Sequence, residues 1–223
     1  MLKELRAASE SYIVFVEKFN ELMEECDSLE FIAINSGIAS KQANSNSFMK
    51  LSNEIQTLSK NITQSASLGQ DIAYSSLERS SATFGQLLIN LKHFRLVEKA
   101  SENSKIISLI KNKIIEELEE FDLREIKRDL GKMSRAVDTL ISLVSIGKTI
   151  AVGGKIRAVY IYGNEEKFKI ITETMGKTIS KIFDLLDEII EQLDFLKTVF
   201  QRISRDDIDL ASDKTFIPTK TQG

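Results

Sequence analysis

A chain of 223 residues with one proline, one cysteine and one histidine is poor both in helix breakers and in the residues that build catalytic or metal centres. Charged residues make up 28% of it, yet the net charge is only -3, which leaves no electrostatic basis for gripping nucleic acid or an anionic membrane. The lone cysteine, Cys26, excludes an internal disulfide and fits a reducing compartment, so a cytoplasmic location is expected.

The opening segment, MLKELRAASESYIVF, lacks a continuous apolar run, and no signal peptide is expected. The heptad series Leu5, Tyr12, Phe19, Cys26, Ala33, joined by Leu2, Val16 and Met23, predicts a helix over about 2–39. Cys26 falls in that series and reads as a small core residue rather than a nucleophile or ligand. Lys41 to Ser47 (KQANSNS) is rich in the Asn and Ser of turns, with Ser47 the expected N-cap of the next helix. Phe48 opens that helix, and Leu51, Ile55, Leu58 and Ile62 follow in alternating steps of three and four. The helix is expected to reach about Ala100. Its middle, Ser59 to Thr83, is rich in Ser and Ala with Gly69, which predicts a thin stretch of bundle, since small residues bury little area.

Ala100 to Ser104 loses the period and has cap chemistry, so it reads as a link. A third helix is predicted over about Lys105–Lys155, with a capping-box pattern at Asp122 to Glu125 marking a break near Phe121. A turn near Tyr160–Asn164 has Gly163 to take a positive φ. The fourth helix, about Glu165–Ile203, carries the cleanest heptads: Met175, Ile179, Ile182, Leu186, Ile189, Leu193, Leu196, Phe200, Ile203. Beyond Arg205 the tail has no helical period and is expected to be mobile.

These elements repeat. Ile32-Ala33-Ile34-Asn35-Ser36-Gly37-Ile38-Ala39 and the Phe48 helix return as Ile150-Ala151-Val152-Gly153-Gly154-Lys155-Ile156-Arg157 and a helix opened by Phe168, with Ile171, Met175, Thr178 and Ile182 at the same offsets. Each copy is a helix end, a short turn and a heptad helix returning: an αα-hairpin. The expected fold is therefore all-α: a long antiparallel four-helix coiled-coil bundle of two tandem hairpins with both turns at one end. Arms of 40–55 residues predict a rod roughly 60–80 Å long. Residues 1–100 form the first hairpin, 101–205 the second and 206–223 a flexible tail. The two seams satisfy each other, so the reading is a monomeric pseudo-dimer, with a homodimer as the alternative.

No catalytic centre can be assembled around one His and one Cys. His93 lies among Leu91, Phe94 and Leu96 and reads as a packed or surface imidazole. The run Glu116-Glu117-Leu118-Glu119-Glu120, flanked by Lys111, Lys113, Arg124 and Lys127, reads as a salt-bridged helix face. No enzyme, cofactor or metal is expected. The longest apolar stretch, Leu140 to Tyr162, is interrupted by Lys148, Lys155 and Arg157, which argues against a membrane span.

The pattern of Ile32, Ala33, Asn35, Ile38, Phe48, Glu54, Ile55 and Leu58 resembles the signalling tip of bacterial chemoreceptors, the methyl-accepting chemotaxis proteins. That family's tip has an Asn in the first helix, an Ile or Val three residues on, a turn and a Phe opening the second helix. An acid, a branched apolar residue and a Leu follow. The first turn is two residues shorter than the family's. In the second copy Ile156 is in register, but Gly153 stands for the Asn and Thr174 for the acid. Where the family carries the Glu and Arg that hold receptor trimers and the kinase array together, this chain has Ala39 and Gln42, then Arg157 and Tyr160. The family's methylation sequences are not evident.

The resemblance implies a non-enzymatic signal-transduction or scaffold protein whose tip binds a protein partner, such as a chemotaxis coupling protein or histidine kinase. The expected tip surface comprises Asn35, Ser36, Lys41, Gln42, Arg157, Tyr160 and Tyr162. Aromatic and Arg residues at a bundle end are of the types enriched in binding hot spots. The alternative reading is a helical-bundle membrane-active or toxin-like protein using the apolar 140–162 segment.

Overall fold

The computed structural model describes residues 2–44, 46–99, 124–159 and 165–212. They form four helices: α1 (Leu2–Ala43), α2 (Asn46–Lys99), α3 (Arg124–Ala158) and α4 (Glu165–Ser212). There is no strand among the described residues. The predicted link at 100–104, the break near Phe121, the acidic run at 116–120 and the turn at 160–164 all lie outside them.

Two boundaries differ from the expectation. The first turn is much tighter than KQANSNS suggested: α1 runs through Ala43, and α2 begins at Asn46, so Ser47 lies inside the helix. Asn44 takes a left-handed φ of 48°, a conformation that Asn tolerates better than most residues, and its amide bonds back to the Lys41 carbonyl at 3.3 Å. At the other end α4 does not stop near Arg205 but continues to Ser212. Loss of the heptad removes a packing face, not the helix, and no Gly or Pro interrupts 204–212.

Each helix packs against two others, in the cyclic order α1, α2, α3, α4. Every neighbouring pair is antiparallel. Between α1 and α4, the hydroxyl of Ser11 donates to Gln192, Lys18 pairs with Glu188 and Lys181 pairs with Glu25, so one number rises as the other falls. Between α2 and α3 the same holds for Glu54 with Arg157 and Arg79 with Asp129. Asn20 accepts from Gln70 and Tyr74 across α1–α2, and Lys197 reaches Ser134 across α3–α4. The C-terminal ends of α1 and α3 and the N-terminal ends of α2 and α4 therefore lie together, at an end hereafter called the tip. The fold is the predicted antiparallel four-helix bundle.

One apolar core runs its length. Met175, Ile179, Ile182, Leu186, Ile189, Leu193, Leu196 and Phe200 are all buried, as the heptads of α4 require. In α1 the seam Tyr12, Phe19, Cys26, Ala33 is buried, and its partner seam is Ala8, Phe15, Leu22, Leu29, Ser36; Met23, expected there, is only half-buried. The Ser/Ala-rich middle of α2 matches the aromatic part of α1. Gly69 lies under Phe19, where an added Cβ would overlap the ring. Small residues on one helix thus make room for Phe15 and Phe19 on the other, and packing stays dense. Deeper along this level, Asp129 is buried and held by Arg79 at 2.6 Å and Lys132 at 3.1 Å.

Candidate protein-binding tip

Toward the tip the core changes character. Phe48 and Phe168 form a ring pair, and behind it the helices meet through Ala33, Ser36, Ser52, Gly147, Ala151, Gly154 and Thr172, all buried. Gly147 is pressed by Ile179 and Leu58, where a Cβ would lie 2.7 Å from the Ile179 side chain. Such small residues bring the backbones together and leave little inward-facing space for large side chains.

Ile32, Leu51, Ile55, Met175 and Ile179 fill the core at this end, while other large apolar residues of the tip face out. Ile34 and Ile38 on α1 are 48% and 52% exposed, and their counterparts in the second copy, Val152 and Ile156 on α3, are both 59% exposed. The intervening residues alternate in step: Ala33 and Ala151 are buried, and so are Ser36 and Gly154. The sequence repeat is thus a structural repeat, with matched inner and outer faces. Phe31, Met49, Val159 and Ile170 add further exposed apolar area around the same end.

The predicted tip residues divide. Asn35, Lys41, Gln42 and Arg157 are exposed. Arg157 bonds Glu54 of α2 at 3.3 Å, tying the two hairpins together at the surface. Ser36 is a correction: it is fully buried and cannot meet a partner, because it occupies the α1 seam beside Ala33 and Ser40, where a small residue lets helices approach. Tyr160 and Tyr162 lie outside the described residues. Ile34, Ile38, Val152 and Ile156 were not singled out as surface residues from sequence, although all four sit in the repeated motif and could have been found by placing them opposite Ala33, Ser36, Ala151 and Gly154 on the helical wheel.

Among the described residues no group of three or more His, Cys, Asp or Glu could hold a metal ion. Cys26 is buried and unpaired, and burial pushes its thiol up to about 12, the opposite of the activation a nucleophile needs. The α3–α4 groove below the tip is open, about 780 Å³, with a floor of Ala151 and Gly176 and walls that include Lys148, Lys155 and Lys177. By length and composition α3 is apolar enough to cross a membrane; 33% of its most apolar window is buried inside the bundle, where Leu140, Val144, Gly147 and Ala151 form its core face.

No family model matches the chain, and no curated protein or solved structure matches it.

Proposed function

We propose that this chain is a non-enzymatic signal-transduction or scaffold protein of chemoreceptor type, binding a cytoplasmic protein partner such as a coupling protein or a histidine kinase through its tip. The observation that carries this reading is the outward placement of Ile34, Ile38, Val152 and Ile156 in both copies of the chemoreceptor-like motif. On each of two opposite sides of the tip, apolar residues held on a rigid helix stand beside exposed polar ones, Ile34 and Ile38 with Asn35 and Gln42, Val152 and Ile156 with Arg157, the mixed composition of a protein interface. The internal seams hold the helices together and are unavailable. Ala39 and Gln42, in place of the family's trimer-forming residues, favour partner binding without the standard receptor array.

The test is calorimetric titration of the purified chain with a purified chemotaxis coupling protein and with a receptor-coupled histidine kinase. Binding is expected for the wild type and loss of at least tenfold in affinity for Ile38→Ser/Ile156→Ser, with helical content unchanged by circular dichroism. Absence of binding to both proteins, or equal binding by the variant, overturns the proposal.

A second reading, a membrane-active bundle, draws support from the exposed Ile146, Val152, Ile156 and Val159 of α3. It requires α3 to leave the core and lay its buried face on lipid. Dye leakage from vesicles on addition of the chain is the outcome it alone expects.

A further inference from the structure

Toward the tip, the exposed faces of α1 and α3 carry opposite charge. Between Lys18 and Lys41, α1 has no cation, and its exposed side carries Glu21, Glu24, Asp27 and Glu30. Between Asp138 and Glu165 the chain has no acid, and the exposed side of α3 carries Lys148 and Lys155, with Lys177 across the groove on α4. Glu30 and Lys148 occupy the same place in the two copies of the repeat, each preceding its Ile-Ala pair by two residues. None of Glu24, Asp27, Glu30, Lys155 and Lys177 makes an ion pair among the described residues; Lys148 stands over the Phe183 ring at 3.3 Å. Glu173 is the single acid on the groove wall.

Because α1 and α3 sit at opposite corners of the bundle, these faces point away from each other and cannot meet within one chain. They can meet between copies. We infer that the chain assembles side by side, the acidic face of α1 in one copy docking on the lysine-rich α3–α4 face of the next. The order of residues along the rod sets the direction. On α1, Phe31 and Ile34 lie nearer the tip than Glu21, Glu24, Asp27 and Glu30; on α3, Val152 and Ile156 lie nearer the tip than Lys148, with Lys155 between them. Copies with tips aligned set Glu30 level with Lys148 and Ile34 level with Val152, the positions the repeat relates. Complementary charge steers the encounter and fixes register, while the apolar residues supply area removed from water. The contact joins two different surfaces on opposite sides, so it does not close on itself and adds copies in a row. It shares Ile34, Val152 and Ile156 with the surface proposed above, but charge reversal leaves those three residues intact, so the two can fail separately.

Charge reversal tests it by sedimentation velocity on the full chain. Wild type is expected to form concentration-dependent oligomers that dissociate when salt is raised from about 50 mM to about 500 mM, since the Debye length falls to a few ångströms. Glu24→Lys/Asp27→Lys/Glu30→Lys has two basic faces, and Lys148→Glu/Lys155→Glu/Lys177→Glu has two acidic ones. Each alone should stay monomeric, with wild-type helical content by circular dichroism, and an equimolar mixture should assemble again. A wild type that is monomeric throughout, variants that assemble alone, or a mixture that does not assemble overturns the inference. Monomeric wild type that pellets with phosphatidylserine vesicles, and loses this in the lysine variant, overturns it in favour of a lipid-facing surface.

Discussion

Phe48 and Phe168, the residues that open the returning helix of each repeat, meet ring to ring with centroids 3.5 Å apart and planes at 44°. Two positions in different halves of the chain thus form one layer of the core, just behind the turns. That layer brings the two hairpins together at the tip.

Both rings are buried, Phe48 and Phe168 each at 1% exposure. Phe48→Ala or Phe168→Ala is therefore expected to cost about 3–5 kcal/mol of stability, by lost burial plus an unfilled cavity. Because the rings share one cavity, the double variant should cost less than the sum. Urea denaturation followed by circular dichroism checks this, and an unchanged midpoint for both single variants contradicts the shared layer.

Gly69→Ala should destabilise the chain by about 1–3 kcal/mol through overpacking against Phe19, even though Ala is the better helix former by about 1 kcal/mol. Combining it with Phe19→Leu should recover most of the loss. A Gly69→Ala variant more stable than wild type would show that the Phe19 ring has room to move.

The buried carboxylate of Asp129 is served by Arg79 and Lys132. Arg79→Met removes one of those cations and is expected to cost about 1–3 kcal/mol, the penalty for an under-satisfied buried polar group. Arg79→Met/Asp129→Leu should regain stability relative to the single variant, since it leaves no buried carboxylate short of a partner. Thermal denaturation of the four proteins in the cycle measures the coupling.

Alkaline pH should weaken the fold through two buried acids. Burial pushes the Cys26 thiol from 9.0 up to about 12 and the Tyr12 phenol from 10.0 up to about 12. The folded chain keeps both protons where the unfolded chain releases them. Stability from these groups is therefore intact below about pH 9 and is lost as pH rises toward 12. The fall in melting temperature above pH 9 should be shallower for Cys26→Ala and for Tyr12→Phe than for wild type. In the same experiment Cys26 should react with a thiol reagent at neutral pH only after denaturant is added.

Much of this molecule was readable from spacing. The heptads from Met175 to Phe200 named the buried face of α4 residue by residue, because a 3.5-residue repeat can bury only one stripe of a helix. The equal placement of two Phe-led helices put both turns at one end. Tyr12, Phe19, Cys26 and Ala33 were legible for the same reason. The companion seam Phe15, Leu22, Leu29, Ser36 was not, since Val16 and Met23 compete with it in the sequence and only the positions of α2 and α4 choose between them. Ser36 looked like a surface residue because it is polar; its burial follows from a backbone approach that no local pattern records.

The sequence by itself determined that the chain is helical, that it folds into hairpins and that one motif recurs at the end of each. The tertiary structure decided the cyclic order of the helices, and with it which residues face water. Ile34 and Ile38 are as apolar as Ile32, yet they lie outside, because each helix has neighbours on only two sides and their positions fall on the face of α1 turned away from both. The charges follow the same logic. Summed along the chain they nearly cancel, to -3, but with α1 and α3 at opposite corners the acids Glu21, Glu24, Asp27 and Glu30 face one side and Lys148 and Lys155 the other.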